Sequence, residues 1–179
     1  MRLRSLIHLL EAVKALVRPD AVTVLGSSSL LAVDGSLGDE GQPLEISMDA
    51  DLLMVPCDAR MANVLHEAVG ENSLFHREYG VYADILRPDI DEALPPGWQQ
   101  RTIPLAEVPG VWCLEKIDLA LVKLGLGREK DMALVQALIS KGLVSLDAIR
   151  ERYQILPLDE ARLVAIGKRL NELKKTALR

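Results

Sequence analysis

Ser47-Met48-Asp49-Ala50-Asp51-Leu52-Leu53-Met54-Val55 is the stretch from which the fold of this 179-residue chain is read. Strand side chains alternate between faces, so Ser47, Asp49, Asp51, Leu53 and Val55 share one face, and Met48, Ala50, Leu52 and Met54 the other. A rise of ~3.3 Å per residue sets the two aspartate Cα atoms about 6.5–7 Å apart, close enough for both carboxylates to grip a hard cation. The apolar flanks predict a strand within the sheet, not at its edge. Desolvation and mutual repulsion oppose two ionised carboxylates there, so the pair requires a cation or several donors, and magnesium supplies that charge.

Working towards the N-terminus, Ala21-Val22-Thr23-Val24-Leu25 predicts a strand stopped by Gly26, and Ser27-Ser28-Ser29 opens a helical stretch through Leu30, Leu31, Ala32 and Val33. A glycine-serine turn between strand and helix points free N–H groups at an anion, so Gly26, Ser27 and Ser28 are candidates for holding a triphosphate. Leu3, Leu6, Ile7, Leu10, Val13 and Val17 recur at helical spacing ahead of Pro19 and predict an amphipathic helix over the sheet. Residues 34–45, with three glycines, one proline and four acids, are expected to form an exposed loop.

Towards the C-terminus, Asp58 caps a helix carrying Met61, Val64, Leu65 and Val69. Val81 to Leu86 forms a strand that places Asp84 as a third carboxylate, and Pro88 ends it. A Pro95-Pro96-Gly97 turn precedes a strand around Arg101 to Leu105, with pairing near Val111-Trp112-Cys113. Helices follow over Ile117–Leu124, Arg128–Lys141, Ser145–Tyr153 and Leu158–Leu178. The fold class is therefore α/β in the broad α+β sense: a mixed sheet flanked by helices over residues 1–113, with a helical segment over 114–179 packed on it.

The Lys123-Leu124-Gly125-Leu126-Gly127-Arg128-Glu129-Lys130-Asp131 bend gathers cations where one helix breaks and the next begins. Lys123, Arg128 and Lys130 are candidate phosphate contacts, and Asp131 would hold them in place. A net charge of −5 gives no global attraction for a polyanion, and 3% aromatic residues leave few rings for stacking on bases. Cys57 and Cys113 are too few for a disulfide framework, and His8, His66 and His76 form no ligand pattern. These features, with no span or export signal in the sequence, lead to the expectation of a cytoplasmic protein without membrane association.

Gly26-Ser27, then Ser47-Met48-Asp49-Ala50-Asp51-Leu52, then Ala83-Asp84-Ile85 resembles the signature of the nucleotidyltransferase (polymerase-beta-like) superfamily. Leu94-Pro95-Pro96-Gly97-Trp98-Gln99-Gln100-Arg101 and Cys113-Leu114-Glu115-Lys116-Ile117-Asp118-Leu119-Ala120 resemble a bacterial nucleotidyltransferase-like family of unknown function. The Lys123 and Arg128-Glu129-Lys130-Asp131 segment is similar to that of abortive-infection toxins of the same superfamily. The resemblance implies a nucleoside triphosphate at the Gly26-Ser27 turn, magnesium on Asp49 and Asp51, and Asp84 as the third acid beside the attacking hydroxyl. It also implies phosphate contacts from Lys123 and Arg128, supported by Asp131. Gly26 and Asp49 stand further apart than is usual for the superfamily, with the acidic loop between them. The acceptor would be RNA or protein. A catalytically silent nucleotide-binding or partner-binding module, or a toxin acting on RNA and paired with an antitoxin, are the alternatives.

Overall fold

The computed structural model describes residues 1–87, 89–90, 94–156 and 158–177. Two compact units divide the chain: Met1–Ile90 with Arg101–Leu114, and Asp91–Gln100 with Glu115–Arg179. Sequence reading expected Pro88 to end a strand and Leu178 to end the last helix; both lie outside the described residues.

In the first unit, helix α1 (Leu3–Val17) buries Leu6, Leu9, Leu10 and Val13. It stops at Arg18, whose left-handed backbone (φ 48°) returns its N–H to Lys14 O, directly ahead of Pro19. Strand β1 (Ala21–Val24) pairs antiparallel with β2 (Asp49–Val55), with Val24 opposite Leu52. Strand β2 pairs parallel with β3 (Tyr82–Ile85). On its other side β1 pairs parallel with β5 (Val111–Cys113), which carries the short antiparallel β4 (Ile103–Pro104). The sheet order β3-β2-β1-β5-β4 makes β1 central and flanks β2 on both sides. The aspartate strand is thus internal, as its apolar flanks require.

Alternation does the rest. Val22, Val24, Ala50, Leu52, Met54 and Ala83 are all buried, and with the apolar stripes of α1 and α2 (Ala59–Val69) they make the core of this unit. Asp58 caps α2 by accepting from Met61 N at 2.7 Å. A third helix absent from the sequence reading, α3 (Leu74–Tyr79), is capped by Ser73, which accepts from His76 N, and closed by Gly80 at φ 70°. Six residues carry too little periodicity to be seen in advance.

One expectation is met in a particular form and one is corrected. The helical stretch expected after Gly26 is present and is wound as a 3-10 helix (Ser27–Ala32). Residues 34–45 are not simply an exposed loop: Gly35–Gly38 form a second 3-10 turn, and Leu37 and Leu44 are 0% and 2% exposed. Burying those two leucines outweighs the polarity of their neighbours, whose charges stay at the surface.

The second unit holds α4 (Lys116–Leu126), α5 (Glu129–Ser140), α6 (Leu146–Tyr153) and α7 (Glu160–Ala177). Glu115 caps α4 by accepting from Ile117 N and Asp118 N. Gly127, at φ 64°, ends α4 with its N–H on Lys123 O, the left-handed position that glycine fills without strain. Helix α4 packs against each of the other three helices, burying Leu119, Ala120, Leu121 and Leu124. Among the described residues no helix is long and apolar enough to cross a membrane.

Candidate functional site

Asp49, Asp51 and Leu53 are half-buried, while the residues between them are fully buried, so the carboxylate-bearing face of β2 is the open one. Register adds the third acid. Asp51 is the partner of Asp84 across the parallel β2–β3 pair, and Asp49 is the partner of Tyr82. Paired residues on neighbouring strands present side chains to the same face, so Asp49, Asp51 and Asp84 stand together on it, with Asp84 exposed. Ser47 Oγ donates to Asp49 Oδ1 at 3.4 Å.

Gly26 meets this group from the other side. Leu25 N–H donates to Asp51 O at 2.9 Å, closing the β1–β2 ladder just ahead of the turn. The Asp51 carboxylate then lies across the glycine, where a Cβ on residue 26 would sit 2.7 Å from Asp51 Cγ and overlap its Oδ2. Gly26 has an ordinary backbone conformation, φ −81°, so close approach and not backbone strain requires glycine here. Gly26→Ala is accordingly expected to drive the carboxylate off its seat and cost about 1–3 kcal/mol. Urea unfolding reads this directly, and an unchanged midpoint would show that the Asp51 side chain moves aside freely.

Of the three serines after the glycine, Ser27 is half-buried, while Ser28 and Ser29 are wholly buried. Neither the Ser28 nor the Ser29 hydroxyl has a hydrogen-bond partner among the described residues. Ser28, a candidate triphosphate contact in the sequence, therefore has its hydroxyl buried, while Ser27 keeps a partly exposed one. A buried hydroxyl without a partner costs about 1–3 kcal/mol.

Tyr82 is the residue that the sequence reading missed. Burial and the negative charges of Asp49, Glu71, Asp84 and Asp51 together push its phenol above the ordinary tyrosine value. The hydroxyl therefore keeps its proton and remains a donor among acids. The His76 ring lies 4.7 Å from the Tyr82 ring, and His76 Nδ1 accepts from Asn72 N at 3.0 Å. Its position two residues before Asp84, on the same strand face, was the available signal.

In the second unit, Asp131 is 2% exposed and accepts from Arg128 Nε at 2.6 Å and Nη2 at 3.1 Å, with Lys123 Nζ at 3.5 Å. The Gly127 turn makes this possible by placing the start of α5 beside the last turn of α4. Lys123, Arg128 and Asp131 thus come together, while Lys130 is exposed and outside the cluster. The Lys123 side chain is 10% exposed and that of Arg128 53% exposed, so Arg128 is the member that faces solvent.

Burial alone would raise the Asp131 carboxyl, but the Arg128 hydrogen bonds and the Lys123 charge outweigh it and hold the group below the usual carboxylate range. Because the folded value is the lower one, the stabilisation is present above the unfolded value near ~4 and is lost as pH falls through the folded value. Thermal melts between neutral pH and acid are expected to show Asp131→Asn far less stable at neutral pH, with the gap to the parent closing in acid. A gap independent of pH would contradict the ion-paired carboxylate.

No family model, curated protein or solved structure matches this chain. What the arrangement can do rests on its donor set. Three carboxylates, a tyrosine hydroxyl and a serine hydroxyl are oxygen ligands, which suit a hard divalent cation and not a soft one. Among the described residues no three His, Cys, Asp or Glu side chains close into a cage for a metal. Magnesium is usually held by one or two carboxylates, completed by waters and substrate phosphates, so such a cage is not needed for it. Burial and the Glu107 charge push the Cys113 thiol up to about 12, which disfavours its thiolate.

Proposed function

We propose that this chain is a magnesium-dependent nucleotidyltransferase, moving a nucleoside monophosphate from a nucleoside triphosphate to an acceptor hydroxyl and releasing pyrophosphate. One observation carries the reading: Asp51 lies against Gly26 and is the register partner of Asp84, with Asp49 on the same face. The Asp51 carboxylate, seated on Gly26 and next to the half-buried Ser27, would be the point at which a cation joins the strand acids to the glycine-serine turn.

Asp49 and Asp51 would hold magnesium, which when bound neutralises triphosphate charge and favours departure of pyrophosphate. The exposed Asp84 is suited to accept the proton of the acceptor hydroxyl as its oxygen attacks the α-phosphorus in line. Gly26 leaves room for the Asp51 carboxylate, and Ser27 would add a side-chain donor to a phosphate. Tyr82, protonated and beside Asp49, is placed to donate to an oxygen of the substrate. In the second unit the proposal assigns anion contact to Arg128 and Lys123, with Asp131 fixing both.

The test is a thermal-shift screen of the four nucleoside triphosphates with and without magnesium, followed by assay of pyrophosphate release. A ligand present at 100 times its Kd stabilises the native state by about 2.7 kcal/mol, a readily measured shift. A magnesium-dependent rise with at least one triphosphate is expected. No rise with any of them would overturn the proposal, and binding without pyrophosphate release on RNA or protein acceptors would reduce the chain to a nucleotide-binding module.

A further inference from the structure

The second unit contains a cavity of about 310 Å³ lined by Leu94, Leu121, Leu126, Leu158 and Ile166, with the side chains of Arg162 and Arg169 in its wall. Its size lies at the lower end of the roughly 300–1,000 Å³ of small-molecule pockets, and its lining is of the apolar kind with a few polar groups that such pockets share.

Gly125 stands inside α4, and a Cβ built on it would meet no atom within 4 Å. Its backbone conformation does not require glycine, and no neighbour packs close enough to forbid a side chain. Gly125 lines the cavity and is exposed, so a side chain added there would occupy space that is now open at the cavity wall.

The two arginines set the chemistry. Arg169 Nη1 donates to Leu124 O and Gly125 O at 2.5 and 3.0 Å, capping the last turn of α4. Its remaining N–H groups have no acceptor among the described residues. Arg162 Nε lies 3.2 Å from Asp159 Oδ2, in a surface pair whose side chains are 72% and 59% exposed. Such exposed pairs are weak and yield readily to another anion. Asp159 offsets one of the two positive charges, leaving one in excess beside an apolar chamber.

We propose that this cavity binds an amphiphilic anion, an aliphatic chain of medium length ending in a carboxylate. The chain lies against Leu121, Leu126 and Ile166 over Gly125, and the carboxylate is received by Arg162 and Arg169. This site is independent of the nucleotidyltransferase reading and stands or falls without it.

Calorimetric titration of the full chain with decanoate tests the proposal, with decan-1-ol and acetate as probes lacking the charge or the chain. Decanoate is expected to bind at least ten-fold more tightly than either. Arg162→Gln should weaken decanoate about ten-fold and leave decan-1-ol unchanged. Gly125→Leu fills the chamber and should abolish binding while raising the melting temperature, and Gly125→Ala serves as the smaller step if the leucine disturbs folding. Absence of decanoate binding, equal affinity for decan-1-ol, or full binding by Gly125→Leu would each overturn the assignment.

Discussion

Asp51→Asn is expected to abolish nucleotidyl transfer, lowering the rate by about 10³-fold or more, while leaving the protein folded and its melting temperature unchanged or higher. Asp51 is the one acid that touches both halves of the proposed site, lying across Gly26 and facing Asp84 over the β2–β3 pair. Asparagine keeps the shape and removes the charge that would bind magnesium, so the loss belongs to chemistry and not to packing. The stability prediction has a separate origin. Like charges at directly opposed strand positions destabilise a sheet by about 0.2–1 kcal/mol, and neutralising one relieves that repulsion. Transfer of an α-labelled nucleotide, measured beside a thermal melt, reads both arms. A variant that retains a tenth of the parental transfer would remove Asp51 from the mechanism, and a large drop in melting temperature would make it a structural residue.

Arg152→Ala is expected to cost about 3–5 kcal/mol. Asp118 is 0% exposed, and Arg152 Nη1 reaches its Oδ1 at 2.5 Å from the far end of α6, with Glu115 Oε2 3.9 Å away. Deleting the guanidinium leaves the buried Asp118 carboxylate without the charge of Arg152, which costs far more than the intact pair contributes. Denaturant unfolding measures it. A loss below about 1 kcal/mol would mean that the remaining contacts of Asp118 are sufficient, and would place this ion pair with the surface pairs. Replacing Asp118 and Arg152 together by apolar residues is expected to recover most of the loss, since two buried charges are then removed at once.

Much of the fold is legible in the sequence because its signals are local. The alternation of β2 places Asp49 and Asp51 on one face and Ala50, Leu52 and Met54 on the other, and the burial of these residues follows that order. Asp58 and Ser145 cap their helices through hydrogen bonds to Met61 N and Ala148 N, three residues along. The Arg128–Asp131 pair spans three residues and needs only one helical turn. The failures also have physical causes. The burial of Leu37 and Leu44 in a polar stretch reflects packing against other segments, which outweighs local propensity. Tyr82 shares the strand face of Asp84, but its place beside Asp49, Asp51 and Glu71 comes from strand pairing and packing with other segments.

What the sequence determined by itself is the inventory: an internal strand bearing two aspartates on one face, a glycine-serine turn, a third aspartate in an apolar strand, and a run of helices with a cationic bend. Periodicity, caps and turn residues act over a few positions and can be read without coordinates. Only the tertiary structure decided that Asp84 faces Asp51, that Gly26 receives the Asp51 carboxylate, and that Arg152 closes on Asp118, 34 residues away. The physical reason is that register and long-range ion pairing arise from the joint burial of all the elements, a quantity that no single segment contains.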